Sequence, residues 1–502
     1  MKKDFVNSFF YKTLFIVTTG LMIKVLGLLN KIIITRLLGT AGMALYIMAF
    51  PTILLLINIS SFSLNITISK IVSENAKTHN YSEKRLIKQG FLLSTIISII
   101  TIIGLLVSIN IITSKWLNNE NLLYPILSAI FLIPLVGLTD TLKGFFNGRK
   151  QVKVPALASF IEQIFRILFS IVLIYVLLPY GVILATTFSL IALSIGEMAS
   201  LIYLLIKIKK YPPTDDDSNK NELKTIFKLS FPATLTRIIG SITYFLEPII
   251  YTTIFINLGY NQTTIETKYT IINAYTIPLL TSASFLSIGL STALIPHISE
   301  NYALKDYRKI NYYIEKAFQF ALVPGILISI LLFLFPVDYM KLIYGTNLGT
   351  EYIKKFAFIF IIYYLQAPAS AILQAIGRQK TIFLVSTIIN ILKIVLIVIL
   401  SYISSINLDS ILYAIIISAL ISTIIIVTLV IKQLKYKFNL KNLVNILLIS
   451  IITVCLGQYF KVILPINFFL ISVLISIIYL TLSIYFKTFE IKSISRNKKA
   501  ST

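Results

Sequence analysis

Positively charged side chains stand inside two long apolar segments of the chain. Lys24 and Lys31 lie seven residues apart in the first segment, so a helix places both on one face, beside Gly20 and Gly27. Arg237 stands in a later segment, where its Arg-Ile-Ile-Gly run matches the Lys-Val-Leu-Gly run at Lys24. A cation at the centre of a membrane helix costs about 2.5–3.5 kcal/mol on insertion scales, so it is expected to face water or a partner. We predict that these cations line a two-lobed cavity for an anionic substrate.

Polar side chains form stripes along two further apolar segments. In each segment they recur at three- and four-residue steps, which place them on one helical face. Such a face contacts either another helix or water in a bilayer, so helix packing and substrate contact both stay open as interpretations. The substrate interpretation predicts that both stripes contact a sugar. The stripes are Asn58, Ser61 and Asn65 in one segment, and Ser284, Ser287 and Ser291 in the other.

Acidic side chains inside apolar segments are candidate counter-charges. They are Glu162, Glu197 and Glu247, with Asp140 nearer to the end of its segment. Glu162 and Arg166 are four residues apart, so we expect them to pair with each other on one helix.

The cations within the apolar segments outnumber the three glutamates. This surplus favours an anionic head group, particularly a pyrophosphate, which Arg meets bidentately and Lys meets as a point charge. The cations in question are Lys24, Lys31, Arg166, Arg237 and Lys393.

The composition predicts a membrane protein without a catalytic centre. Hydrophobic residues make up 57% of the 502 and charged residues 13%, which is too apolar for a soluble core. The single cysteine, Cys455, excludes an intramolecular disulfide. No phosphate-binding loop, serine hydrolase motif or zinc protease motif occurs, so we expect no cofactor. We also expect no metal site, since His79 and His297 lack ligand-like neighbours and the acidic run at residues 215–217 resembles a solvated linker.

The lengths of the apolar runs predict fourteen membrane spans. With the N-terminus inside, inward segments hold 33 of the 45 Lys and Arg residues and outward loops hold seven. This bias predicts that both termini are cytoplasmic. The net charge of +25 then lies largely beside anionic lipid, and nucleic-acid binding is not expected. The predicted spans are 13–35, 43–68, 89–113, 122–142, 155–178, 181–206, 229–256, 269–295, 317–336, 353–376, 381–403, 408–431, 442–460 and 465–486.

The chain also contains an internal repeat. Ser73-Glu74-Asn75 recurs as Ser299-Glu300-Asn301, and this offset of 226 residues pairs Ser61 with Ser287. Six spans separate the copies, so both have the same orientation across the membrane. We therefore predict an all-α polytopic membrane protein with two pseudo-symmetric six-helix lobes and two extra C-terminal helices. The predicted parts are 1–206 for the N-lobe, 207–228 for a cytoplasmic linker, 229–431 for the C-lobe, and 432–502 for the last two spans and a cytoplasmic tail.

Four stretches resemble a known family. Residues 36–46, an Arg-Leu-Leu-Gly run followed by Gly and Tyr, resemble the motif after the first span of polysaccharide-export flippases. Residues 68–74 and their copy at 294–300 resemble the exits of the second span in each lobe. Residues 144–166 are similar to the pattern of the stage V sporulation protein B family, which belongs to the multidrug/oligosaccharidyl-lipid/polysaccharide (MOP) exporter superfamily.

The resemblance implies a MATE-like flippase related to the lipid II flippases. Such a protein moves a polyprenyl-pyrophosphate-linked peptidoglycan or polysaccharide precursor from the inner to the outer leaflet by alternating access. The resemblance also implies the bacterial plasma membrane, a role in spore cortex synthesis, and cell-wall synthesis proteins as candidate partners. Lipid II flippases have cavity arginines in the first lobe, where this chain has Lys24 and Lys31.

Two other classes stay open. The first is a cation-coupled multidrug antiporter of the same superfamily, with Glu247 or Glu197 carrying a proton or sodium ion, and the positive surplus counts against it. The second is a polytopic enzyme such as a glycosyltransferase, which needs a carboxylate or histidine cluster in a sizeable outer loop. The longest outward connections contain only Glu266, Asp338 and Glu351.

Overall fold

A computed structural model describes residues 2–78, 81–215, 221–437, 439–464, 467–486 and 488–489. Side chains are described from residue 18 onward, except at 76–78, 285–286, 288–293 and 296. Within these ranges the chain is helical and contains no strand, which confirms the all-α prediction. His79, Asp216 and Asp217 lie outside the described residues.

The chain divides into two compact units, and the first comprises Met1–Thr270 and Ile394–Ile411. Short 3-10 or π-helical turns at Ile111–Trp116, Glu120–Leu122, Leu178–Tyr180 and Asn407–Asp409 lie between or beside its helices. The helices of this unit are α1 (Lys2–Ser61), α2 (Leu64–Thr78), α3 (Glu83–Asn110), α4 (Leu123–Leu127), α5 (Ala129–Gly148), α6 (Lys153–Leu177), α7 (Val182–Lys210), α8 (Glu222–Asn257) and α9 (Gln262–Thr270).

The second unit comprises Ile271–Lys393 and Leu412–Thr502. It begins with a π-helical turn at Ile271–Thr276, and the unit boundaries fall inside two of its helices, α17 and α18. The predicted lobe boundaries stay predictions. The helices are α10 (Ile277–Leu280), α11 (Ser284–Ala303), α12 (Tyr307–Leu334), α13 (Pro336–Tyr344), α14 (Thr350–Phe356), α15 (Phe360–Tyr363), α16 (Gln366–Ala375), α17 (Gln379–Ser401), α18 (Ser410–Leu434), α19 (Leu440–Ile463) and α20 (Phe468–Tyr485).

Eleven helices among the described residues are long and apolar enough to cross a membrane. The number is twelve if the bent pair Thr350–Phe356 and Phe360–Ala375 forms one span. The predicted count of fourteen is therefore not confirmed. Part of the difference lies between Gln262 and Ala303, where the predicted eighth span is divided among α9, a π-helical turn, α10 and α11.

A kink inside α1 accounts for another part of the difference. The candidate span that contains this kink runs over Thr18–Asn75, which is 58 residues. At 1.5 Å per residue it would extend roughly 87 Å, nearly three times the hydrocarbon thickness of a bilayer. Gly39 breaks the helix with φ 65° and ψ −170°, a conformation that a residue without Cβ adopts readily. The first two predicted spans lie on either side of this kink.

Close glycine contacts fix α5 against α2. A Cβ at Gly144 would lie 2.7 Å from the backbone oxygen of Asn65, and one at Gly148 would lie 2.6 Å from Cβ of Val72. Leu142 and the two phenylalanines after Gly144 are fully buried in the same apolar cluster. This packing sets the position of the turn of α5 that precedes Gly144.

The start of the predicted linker is held on the first unit. The Glu83 carboxylate, at the start of α3, accepts hydrogen bonds from Arg149 Nε at 3.0 Å and from the backbone N–H of Thr214 at 3.0 Å. Asp215 accepts from Lys84 Nζ at 3.0 Å. The Lys84 hydrogen bond holds the pKa of the Asp215 carboxyl below its usual range. The linker is thus tethered at least as far as Asp215.

Candidate functional site

The predicted cation Arg237 is held by two of the predicted stripe residues. Its Nη2 donates to Asn58 Oδ1 at 2.7 Å, and its Nη1 donates to Ser61 Oγ at 2.9 Å. The Ser61 hydroxyl in turn donates to the carboxylate of Asp140 on α5. The last turn of α1 therefore joins α8 to α5 through a continuous line of hydrogen bonds.

A cluster of ion pairs lies among α5, α6 and α7. Lys143 Nζ is 3.0 Å from Glu162 Oε2 and 3.6 Å from Glu197 Oε1. Arg166 Nη2 is 2.5 Å from Glu162 Oε1, which confirms the pairing expected from their four-residue spacing. Lys143 and Glu197 are buried, with 9% and 7% of their surface exposed. Charges at this depth require partners, and each of these has at least one.

A glycine on α7 allows the cluster to form. A Cβ at Gly196 would lie only 2.6 Å from the backbone oxygen of Glu162. The close approach of α7 to α6 brings the next residue, Glu197, to the same ammonium group as Glu162. Local backbone packing therefore positions two carboxylates that are 35 residues apart in sequence.

Two members of this network were not among the predicted site residues. The sequence places Asp140 near a span end, and the predicted span 122–142 stops one residue before Lys143. The helix instead continues to Gly148. The spacing of three residues, which puts Asp140 and Lys143 on one face of α5, is the signal that could have identified them.

Lys24 and Lys31 lie on a flank of α1. Lys24 is exposed and Lys31 is partly buried. The exposed apolar stripe of this helix is formed by Met22, Val25 and Leu29, which are 49%, 44% and 45% exposed. Lys24 is roughly 130° around the helix from that stripe at 100° per residue. Its exposure is therefore on a different side from the apolar surface.

Open space borders Gly20 on α1 and Gly240 on α8. A Cβ added at Gly20 or at Gly240 would meet no protein atom within 4 Å. Gly240 follows Arg237 by three residues, whereas the exposed apolar stripe of α8, which includes Leu235 and Ile239, lies roughly 140° away. The flanks that carry Lys24 and Arg237 thus adjoin unfilled space away from the apolar stripes.

The other predicted residues of the first unit are committed to helix contacts. Glu247 is 1% exposed and accepts a hydrogen bond from the Tyr269 hydroxyl at 3.2 Å. Asn65 Oδ1 accepts from Asn147 Nδ2 at 3.2 Å. These contacts fit the helix-packing interpretation of buried polar side chains in a membrane protein.

The remaining predicted residues belong to the second unit. The Ser284 hydroxyl donates to the backbone oxygen of Thr281 at 2.6 Å. Ser287 is buried, and Lys393 on α17 is partly buried. The side chain of Ser291 lies outside the described part of the chain.

The network around Arg237 is electrically balanced. It contains three cations and three carboxylates, so it does not account for the positive surplus predicted from the spans. That surplus consists of the positive charges of Lys24, Lys31 and Lys393, against the one carboxylate of Glu247. The balanced network consists of Lys143, Arg166, Arg237, Asp140, Glu162 and Glu197.

The described side chains offer no ready metal site. Among them, no group of three or more His, Cys, Asp or Glu residues is arranged to hold a metal ion.

Arg166 Nε and Asn30 Oδ1 are buried polar atoms without a hydrogen-bond partner. One donor on α6 and one acceptor on α1 are therefore unsatisfied. Most buried polar groups in proteins have a hydrogen-bond partner.

Comparison with known proteins agrees with this architecture. Residues 10–302 match the family described as "Polysaccharide biosynthesis protein", and residues 273–399 match the MatE family. The chain is 30% identical to "Stage V sporulation protein B" of Bacillus subtilis (strain 168) over 380 residues, covering 74% of this chain and 73% of that protein. It is 24% identical to "Lipid II flippase MurJ" of the same organism over 403 residues, covering 73% and 72%.

A solved structure shows the same fold. The structure of "Lipid II flippase MurJ, inward closed conformation" superimposes with a TM-score of 0.71 and 17% sequence identity, covering 94% of this chain and 98% of that chain. The many apolar helices, the family matches and these relatives lead to one assignment. The chain belongs to the polysaccharide biosynthesis protein family and is a multi-pass bacterial membrane protein of the MATE-like transporter fold, a flippase or transporter rather than an enzyme.

Proposed function

We propose that this protein is a flippase for a polyprenyl-pyrophosphate-linked cell-wall precursor, moving it from the inner to the outer leaflet. The proposal is based on the hydrogen bonds that Arg237 makes. Its partners, Asn58 and Ser61, are neutral, and no carboxylate in the described part of the chain lies within 4.0 Å of it. The guanidinium therefore keeps its charge and still has N–H groups to offer to phosphate oxygens.

The α1 lysines extend this positive surface. Lys24 and Lys31 add two point charges on a flank that adjoins open space. In the proposed mechanism these cations gather the pyrophosphate, and the lipid tail stays in the bilayer.

The membrane potential supplies a driving force for this substrate. Moving one charge through 100 mV is worth about 2.3 kcal/mol, and an inside-negative potential drives an anion outward. Alternating access, in which the cavity opens first to the cytoplasm and then outward, requires no nucleotide. The name of the flippase relative supports the substrate class. The name of the sporulation relative supports a role in sporulation, and within it we propose spore cortex synthesis.

The experiment compares head groups in liposomes that contain the purified protein. The probe is a fluorescent polyprenyl-pyrophosphate disaccharide, and its control is the same glycolipid with a neutral linkage. A membrane-impermeant quencher reports the leaflet of the fluorophore. We expect protein-dependent movement of the pyrophosphate lipid, at least about tenfold faster than that of the neutral lipid. Equal rates for both lipids, or no movement of either, would refute the proposal.

A cation-coupled multidrug antiporter is the second candidate, because the MatE match covers residues 273–399 and Glu247 is a buried carboxylate within a span. The same liposomes test it with a cationic dye and an imposed sodium or proton gradient. Gradient-driven dye extrusion that is lost in Glu247→Gln would favour the antiporter. We expect no such extrusion.

A further inference from the structure

The hydrogen bonds from Arg237 to Asp140 have a fixed direction. A guanidinium only donates and a carboxylate only accepts, whereas a hydroxyl does both. Ser61 lies between them, so its single proton goes to Asp140 and its lone pair receives Arg237 Nη1 at 2.9 Å. The carboxylate therefore fixes the direction of the serine proton, and with it the direction of the lone pair that receives the arginine.

Ser61 has little freedom to choose other partners. It is 1% exposed, so water is not readily available to replace either hydrogen bond. Directly after it, Phe62 and Ser63 have φ values of 43° and 51°, which are uncommon for residues with a side chain. This break ends α1 at Ser61 and fixes the point where the hydroxyl meets α5 and α8.

The location of Asp140 also favours a role beyond packing. Its carboxylate contacts the last residue of α1, where the helix dipole is negative and an acidic group is disfavoured. A neutral acceptor would satisfy the Ser61 proton without that cost. The carboxylate adds a charge that strengthens the bond to Ser61 and polarises its lone pair toward Arg237.

We propose that Asp140 is a positioning residue for Arg237, acting through the Ser61 hydroxyl to aim the guanidinium at the substrate phosphate. This inference rests on the proposed function. Without Asp140 the Ser61 proton loses its acceptor and the hydroxyl is free to rotate, so the lone pair that it offers Arg237 is no longer fixed and Asn58 is the one defined anchor left. The arginine would still be present and charged, but it would be poorly oriented for a bidentate contact.

The test is a set of mutant cycles in the liposome assay, with the pyrophosphate lipid as probe and its concentration varied. We expect Asp140→Ala and Ser61→Ala each to raise the half-saturating concentration about tenfold while the maximal rate changes less than about threefold. Asp140→Asn keeps an acceptor oxygen but loses the charge, so we expect a half-saturating concentration between those of the native protein and Asp140→Ala. The double variant Asp140→Ala/Ser61→Ala should match either single variant, and Asp140→Ala/Arg237→Ala should match Arg237→Ala, because residues acting through one another are not additive.

Additive losses in these double variants, or a loss confined to the maximal rate, would overturn the inference. The matched control is Thr141→Val, since Thr141 is fully buried on the same helix and its hydroxyl donates only to Gly137 O of its own helix, at 2.9 Å. The melting temperature of each purified variant distinguishes a loss of affinity from misfolding. If Asp140→Ala does not fold, Ser61→Ala still tests the proposal. A native rate for Arg237→Ala would refute the proposed function itself, whereas an impaired Arg237→Ala beside a native Asp140→Ala would refute only the positioning role.

Discussion

Lys143 and Arg237 are both cations inside the first unit, but their surroundings differ. Lys143 lies between two carboxylates, Glu162 and Glu197, at 3.0 and 3.6 Å. Arg237 is bound by an amide oxygen and a hydroxyl oxygen. The first cation is neutralised by its partners and holds three helices together. The second remains charged and available, which is why we assign substrate contact to Arg237 and a structural role to Lys143.

We therefore expect Lys143→Met to destabilise the protein. The change leaves two buried carboxylates facing each other without their ammonium, and breaking a buried ion pair costs about 3–5 kcal/mol. Thermal or denaturant unfolding in detergent measures the loss. The matched control is Lys150→Met, an exposed lysine just beyond the same helix, with an effect within about 0.5 kcal/mol. A loss below about 1 kcal/mol for Lys143→Met would contradict the structural role.

The sequence predicted only some of these contacts, for a physical reason. The pair Glu162–Arg166 is local, so spacing alone identified it. The bond between Arg237 and Ser61 joins residues 176 positions apart. Periodicity shows which helical face carries a residue but not which other helix faces it. Lys143 was missed because the hydropathy of its segment ends before the helix does.

At the level of helices, the position of Asp140 and Lys143 depends on how closely α5 approaches α2. We expect Gly144→Ala to destabilise the protein by about 1–3 kcal/mol, because the new Cβ would lie 2.7 Å from the backbone oxygen of Asn65. Unfolding in detergent again provides the measurement. The control is Gly104→Ala, an exposed helical glycine on α3 whose Cβ meets nothing within 4 Å. Gly104→Ala should be neutral or stabilising by up to about 1 kcal/mol. A neutral Gly144→Ala would show that α2 can move without cost.

The breaks in the helices were harder to predict than the helices themselves. Long apolar runs such as α12 and α18 follow directly from hydropathy, and both are long enough to span a membrane. The kink at Gly39 depends on a single φ of 65°, and the break at residues 62–63 depends on two non-glycine residues with positive φ. Such conformations result from tertiary contacts rather than local preference, so hydropathy does not reveal them.

For the protein as a whole, the open space beside α1 and α8 is the proposed substrate path. Gly240→Trp should fill that space next to Arg237 and slow transport at least about tenfold, because a Cβ there meets no protein atom within 4 Å and the indole ring would extend into the path. Gly240→Ala is the matched control and should retain transport within about twofold, since one methyl group barely narrows the space. Both variants should unfold at the native temperature. Native transport by Gly240→Trp would place the path elsewhere.

The family assignment agrees with the predicted transporter class, whereas the substrate is inferred from charge. The positive surplus does not come from the network around Arg237, which is balanced. It comes from lysines such as Lys24 and Lys31 on α1. Charge counting over the sequence thus identified the sign of the surplus, but the structure was needed to locate it, because pairing depends on which helices touch.

The proposed function requires that these cations select a phosphate-bearing lipid. The most direct test measures the leaflet distribution of the lipid-linked precursor in liposomes with an inside-negative potential. The experiment compares, at equal protein content, the native protein with Lys24→Ala, Arg237→Ala and Arg237→Lys. We expect Lys24→Ala and Arg237→Ala each to slow outward movement at least about tenfold, and Arg237→Lys to retain part of the rate, because lysine keeps the charge but loses the guanidinium fork. Native rates for both alanine variants would contradict a phosphate-selecting cavity built on Lys24 and Arg237.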